Sequence, residues 1–191
     1  MTQTAVRPMH EAWTHDHWTE EELAKLPQDH GNRYEIIDGR LYVTPPAGEL
    51  HNAPGARLIA LLLTAAPPGW RVLYEIGLRI GKHLLIPDLV VLPPGTPTAD
   101  KGYNDVKVVQ PALVIEIASA STETIDKGTK MVAYATGGIP SYWRMTREGV
   151  LHLHHLVTDG QYGLLATVRP GEEYKAIVPF PVVLEPSKLG A

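Results

Sequence analysis

The apolar and polar positions fall into short runs of two kinds. Arg33-Tyr34-Glu35-Ile36-Ile37 and Arg40-Leu41-Tyr42-Val43 are β-rich runs joined by Asp38-Gly39, a dipeptide that favours a two-residue hairpin turn. Arg71–Ile80, Leu84–Leu92, Ala112–Ile117, Ser141–Met145, Val150–Val157, Gly163–Val168 and Ala176–Val183 read as further strands, with Leu84–Leu92 broken by Pro87, which demands an edge, a bulge or a strand start. Helical spacing occurs in His51–Ala66, where Leu58, Leu61, Leu62 and Ala65 share one face, and in Thr124–Thr136, which ends at Gly137-Gly138. Thr19 followed by Glu22 gives a capping box for a short helix that Pro27 ends. Pro93–Gln110 holds Pro, Gly, Asp, Lys and Asn, and reads as an exposed loop.

This order predicts an α/β or α+β protein: a mixed β-sheet flanked by a few helices, with an extra N-terminal hairpin and C-terminal antiparallel strands. The 191 residues suit one domain, expected over 17–191, with residues 1–16 as a flexible N-terminus. The longest apolar stretch, Leu58–Ala66, is far too short to span a bilayer, and the first residues carry no apolar signal segment. A cytoplasmic protein is expected.

Composition then removes whole classes of chemistry. Without cysteine there is no disulfide scaffold, thiolate zinc site, iron–sulfur cluster or thiol nucleophile. The net charge of −4, with 17 Lys and Arg scattered and no basic stripe, argues against tight non-specific binding to nucleic acid.

Two carboxylates stand in apolar strand runs, Asp88 in Ile86–Val90 and Glu116 in Leu113–Ile117. A buried carboxylate needs a partner. A bridging divalent cation, a lysine or an arginine (Arg71, Arg79 or Arg144) would serve. Asp126, Lys130 and Tyr134 share one face of the helix after the Glu116 strand, so Lys130 can reach the end of that strand. His152 and His154 share a strand face that reads as exposed surface.

Taken in order, several segments resemble a known family. They are Tyr34–Gly39, His51 opening a leucine-rich helix, Ile86-Pro87-Asp88-Leu89-Val90, Glu116–Thr122, Asp126–Tyr134, Gly138-Ile139-Pro140 and Tyr142-Trp143. Over about residues 17–170 they are similar to the "putative restriction endonuclease" family of short bacterial proteins, within the PD-(D/E)xK nuclease superfamily. Two departures stand out. Ala118 occupies the superfamily's usual lysine position, and in the resembled family that lysine has moved to the following helix, where Lys130 fits and Lys127 is second. Ser119-Ala120-Ser121-Thr122 replaces Ser-Pro-Ser-Thr.

The resemblance implies a restriction-endonuclease-like fold and a metal-dependent endonuclease that hydrolyses phosphodiester bonds of DNA. Asp88, Glu116 and the Ile117 carbonyl would hold Mg²⁺ or Mn²⁺, with Lys130 as the catalytic lysine. Glu35 or Glu75 would add an acid, His51 would face the site, and Ser119, Ser121 and Thr122 would contact phosphate or cap the helix. A homodimer is implied as well. The other class open to the sequence is a nuclease fold kept as a binding or assembly module without turnover.

Overall fold

The computed structural model describes residues 17–26, 32–46, 48–98, 102–119 and 122–190. The expected flexible stretch 1–16 and Ser121 lie outside the described residues. The chain runs through α1 (Glu20–Leu23), β1 (Arg33–Ile37), β2 (Arg40–Thr44), α2 (Glu49–Ala65), β3 (Arg71–Tyr74), β4 (Gly77–Ile80), β5 (His83–Leu85), β6 (Leu89–Leu92), β7 (Tyr103–Asp105) and α3 (Val106–Val109). It continues as β8 (Leu113–Ile117), α4 (Glu123–Ile125), a π-helical turn (Asp126–Lys130), α5 (Met131–Thr136), β9 (Ser141–Met145), β10 (Leu151–Leu156), β11 (Tyr162–Val168), β12 (Tyr174–Ala176) and β13 (Val182–Leu184).

A six-stranded sheet in the order β11-β10-β9-β8-β6-β3 forms the centre, with β8 and β9 parallel. A second sheet, β2-β1-β5-β4-β7, packs beside it, and β12-β13 make a small antiparallel pair. The central strands β6 and β8 are buried along their whole length, as strands covered on both faces must be. Their odd-numbered residues (Leu89, Val91, Leu113, Ile115, Ile117) join Leu58 and Leu62 of α2 in one core. Their even-numbered residues Val90, Leu92 and Val114 join Ala133 and Tyr134 of α5, and Leu78 and Leu85 of the second sheet, in another. Glu116 therefore points to the face that carries α5 and the second sheet.

The structure differs from the pattern-based expectation at three places and turns the expected break at Pro87 into a change of sheet, and two of these four places build the site. Arg71–Ile80 is not one strand: it breaks at Glu75, whose φ is +47°, so β3 stays in the large sheet while β4 enters the second. Leu84–Leu92 breaks at Ile86-Pro87-Asp88, where the proline cannot donate to a ladder, so β5 and β6 again lie in different sheets. The two crossovers touch, with the Glu75 N–H donating to the Asp88 carbonyl at 3.1 Å. Between Pro93 and Gln110 the chain forms β7 and α3, because Val106 and Val109 share a helical face and bury in the second core. Ala176–Val183 holds only the end of β12 and the start of β13; the intervening Pro179 and Pro181 interrupt any ladder.

The Asp38-Gly39 hairpin forms as the dipeptide dictates, with both residues at positive φ. It is not an appendage: β1 pairs with β5 and brings Arg33 and Glu35 to the crossovers.

Candidate active site

Asp88 is the residue between the crossover and β6, and it is 1% exposed. Oδ1 accepts from Arg33 Nη1 at 2.8 Å. Oδ2 accepts from the Ile117 N–H at 2.6 Å and lies 3.2 Å from His51 Nε2. Burial alone would raise the carboxyl's pKa, but His51 and Arg33 outweigh it and hold Asp88 below the usual carboxylate range. The same contact raises the His51 pKa against its own partial burial. Arg33 is shared: its Nη1 also stands 3.4 Å from Glu75 Oε1 at the rim.

Glu116 lies in a second and different environment. Its Oε1 receives the Tyr134 hydroxyl at 2.6 Å and Lys130 Nζ at 3.1 Å. Lys130 is 1% exposed and also reaches Glu35 Oε1 at 2.9 Å and Asp126 Oδ1 at 3.9 Å. Glu35 Oε1 is fixed in turn by the Ile86 N–H at 2.7 Å. The π-helical turn puts Asp126 and Lys130 on the inner side, and Tyr142 Oη donates to the Asp126 carbonyl at 2.9 Å. Burial raises the Glu116 pKa well above its ordinary value; Lys130 opposes this, while Asp126, Asp88 and Glu35 add to it. Burial likewise lifts Asp126 to about 6 against the pull of Lys130. Both Asp126 carboxylate oxygens are buried without a hydrogen-bond partner. Burial would lower the Lys130 pKa, yet Glu116, Glu35 and Asp126 together hold it above normal.

The structure thus gathers Asp88, Glu116, Lys130, Glu35 and His51 around the strand ends, with Glu75 joined through Arg33. Lys127 does not enter the cluster; it pairs with Glu123 on the outside. Ser119 and Thr122 bond to each other, the Ser119 N–H to Thr122 Oγ1 at 3.2 Å and the Thr122 N–H to Ser119 Oγ at 3.2 Å, which forms the turn into α4. The arginine that answers Asp88 is Arg33, and none of the expected Arg71, Arg79 and Arg144 pairs with it among the described ion pairs. A signal for Arg33 exists in its position two residues before Glu35, on the same strand face. A cleft of about 480 Å³ opens beside the cluster, lined by His51, Ile117, Ser119, Thr146 and Arg147 among others.

A cation would meet a suitable set of donors. Four buried carboxylates, Glu35, Asp88, Glu116 and Asp126, face two permanent cations, Arg33 and Lys130, so the cluster carries surplus negative charge when all are ionised. The donors are hard oxygens, the kind that Mg²⁺ and Mn²⁺ accept. Among the described residues no three His, Asp or Glu side chains stand ready to enclose an ion. Two carboxylates, a carbonyl and water would have to suffice, which is the coordination Mg²⁺ commonly takes.

With fold and cluster in view, the comparisons place the chain. It belongs to the Uma2 family, described as "putative restriction endonuclease", whose model matches residues 20–185. It is similar in structure to a protein from Anabaena variabilis described as a "putative nuclease belonging to DUF820": the TM-score is 0.67 at 20% identity, over 88% of this chain and 95% of that one. That likeness bears on the fold, and the expected restriction-endonuclease-like α+β architecture is the one present. No curated protein matches the chain. No helix among the described residues is long and apolar enough to cross a membrane.

Proposed function

We propose that the protein is a metal-dependent endonuclease that hydrolyses phosphodiester bonds of DNA. The observation that carries this reading is Lys130, a fully buried ammonium held by Glu35 and Glu116 at the end of the central strands. A lysine is costly to bury and its pairing does not require this depth, so its place between Glu116 near the end of β8 and Glu35 in the middle of β1 points to chemistry. Asp88, Glu116 and the Ile117 carbonyl would hold the Mg²⁺ or Mn²⁺, which supplies Lewis-acid polarisation of a phosphoryl oxygen and acidifies bound water. Glu35, fixed by the Ile86 N–H, aims the Lys130 ammonium. Lys130 then positions the attacking water and stabilises charge that develops on the phosphoryl oxygens. Tyr134 keeps Glu116 oriented through a neutral phenol that burial holds well above its usual pKa. The free edge of β11, with Leu164 and Leu165 exposed, is where a second copy would add to form a dimer.

The test is cleavage of supercoiled and linear DNA with Mg²⁺ or Mn²⁺, alongside calorimetric titration of Mn²⁺. Asp88→Ala and Glu116→Ala are expected to lose both binding and cleavage, and Lys130→Ala to keep metal while losing cleavage. DNA left intact by the wild type under all these conditions would refute the reading. One observation favours the alternative of a silent binding module: both Asp88 oxygens are already engaged by Arg33, His51 and the Ile117 N–H. Failure of Mn²⁺ to bind the wild type would decide for it.

A further inference from the structure

The strand register places a polar row across the large sheet, on the face that carries Glu116. Glu116 lies opposite Arg144, Arg144 opposite His152, and His152 opposite Thr167. Arg144 is buried, yet its Nη1 has no hydrogen-bond partner, and the nearest carboxylate oxygen, Glu123 Oε1, stands 3.9 Å away. A buried guanidinium nitrogen without a partner leaves a strong donor unsatisfied. Glu123 is shared, with the same Oε1 lying 3.4 Å from Lys127 Nζ. The exposure is graded: the side chain of Arg144 is 5% exposed, that of Glu123 37% and that of Lys127 58%. The floor of the arrangement is thus a buried cation, and its upper part is a more exposed acid and lysine.

His152 is held below its ordinary pKa by burial first and then by Arg144, Lys127 and Arg169. Arg147 and Lys127 both act on Glu148, and Arg147 lines the cleft that His51 and Ile117 share. The acids present are the buried Glu116 and Asp126, held by Lys130, and the more exposed Glu123, Glu148 and Glu172, the last 3.9 Å from Arg169. By distance, Arg144 and Lys127 are the two cations that stand around the Glu123 carboxylate.

We infer that Arg144 and Lys127 form a binding subsite for a backbone phosphate of the nucleic-acid strand, and that the Glu123 carboxylate occupies it as an internal stand-in for that phosphate. In its choice of ligand this rests on the nuclease reading above. An arriving phosphodiester displaces Glu123, which turns outward into solvent, and takes its place between the guanidinium and the ammonium. The strand is then anchored next to the Glu116 centre, and the acid screens the site against weak anions when no strand is present.

Binding can be read without turnover, by fluorescence anisotropy of a labelled DNA oligonucleotide with the full chain in EDTA. Glu123→Gln removes the stand-in charge and should tighten binding about three- to tenfold. Lys127→Gln should weaken it by a similar factor and lower the salt slope by about one. Both positions are partly exposed, so the result does not hinge on a buried substitution folding. Glu123→Gln binding no tighter than wild type, or no measurable binding by either protein, overturns the inference. Displacement of the oligonucleotide by equimolar inorganic phosphate would assign the site to a small anion and overturn it too. A parallel cleavage assay with Mn²⁺ separates the two readings. Tighter binding by Glu123→Gln in a protein that never cleaves DNA keeps the subsite and removes the nuclease. Cleavage by a wild type whose Glu123 and Lys127 variants bind normally does the reverse.

Discussion

The Asp88 half and the Glu116 half of the cluster are both built on a buried carboxylate at a strand end, yet they solve the cost of burial in opposite ways. Asp88 has more donors than it needs: an arginine, a histidine and a backbone N–H fill both oxygens, and the group is held ionised. Glu116 shares one lysine with Glu35 and Asp126 and is driven toward its protonated form. On the first side every donor is already in place, so a metal held by Asp88 must displace one of them. The second is pushed by burial toward protonation, which a bound cation would oppose, so metal affinity should depend on pH through the Glu116 side.

The sharpest way to break this asymmetry is Lys130→Met. It leaves three buried carboxylates without their ammonium and is expected to cost about 3–5 kcal/mol in urea unfolding. Adding Glu116→Gln should return part of that loss, and strictly additive losses would show that the lysine does not act through Glu116. Next in size is the pH dependence. The pKa of Asp126 is pushed up from 3.8 to about 6. The folded state therefore holds the extra proton, and that contribution is fully present below about pH 4 and lost as pH rises through about 6. Asp126→Asn should flatten this fall, worth roughly 3 kcal/mol, in melts recorded across that window. Asp88 has the opposite sign: its contribution is present above 3.8 and lost as pH falls through its lowered folded value, so Asp88→Asn should act on the acid limb only. Mn²⁺ uptake at about pH 5.5 should release on the order of one proton, read by calorimetry in two buffers of different ionisation heat.

Smaller effects sharpen the contrast further. Tyr134→Phe takes one of two donors from Glu116 Oε1 and should cost about 1.5–3 kcal/mol. His51→Ala leaves Asp88 with Arg33 and the Ile117 N–H, and should cost only about 1 kcal/mol. A larger loss for His51→Ala than for Tyr134→Phe would contradict the view that the Asp88 side is over-supplied.

Local chemistry made much of this legible. Asp38-Gly39 names its own turn, the α2 leucines share a face, and Asp88 and Glu116 stand out because charge interrupts apolar runs. Pro87 marks its own break, but the break at Glu75 and the change of sheet at both crossovers stay hidden, because each flank reads as strand and only the choice of partner strand reveals that the chain changes sheets. The same blindness hid Arg33, which lies 55 residues from Asp88 in sequence and meets it only because β1 pairs with β5.

By itself the sequence determined the elements whose signals are local, the burial of two carboxylates, the exclusion of thiol chemistry and the presence of a lysine on the right helical face. Only the tertiary structure decided which cation answers which acid: Arg33 and His51 for Asp88, Lys130 for Glu116 and Glu35, and Arg144 with Lys127 around Glu123. The reason is physical: propensity and periodicity act over a few residues, whereas a charge pair forms over a few ångströms, and sheet order and register set which distant residues come that close.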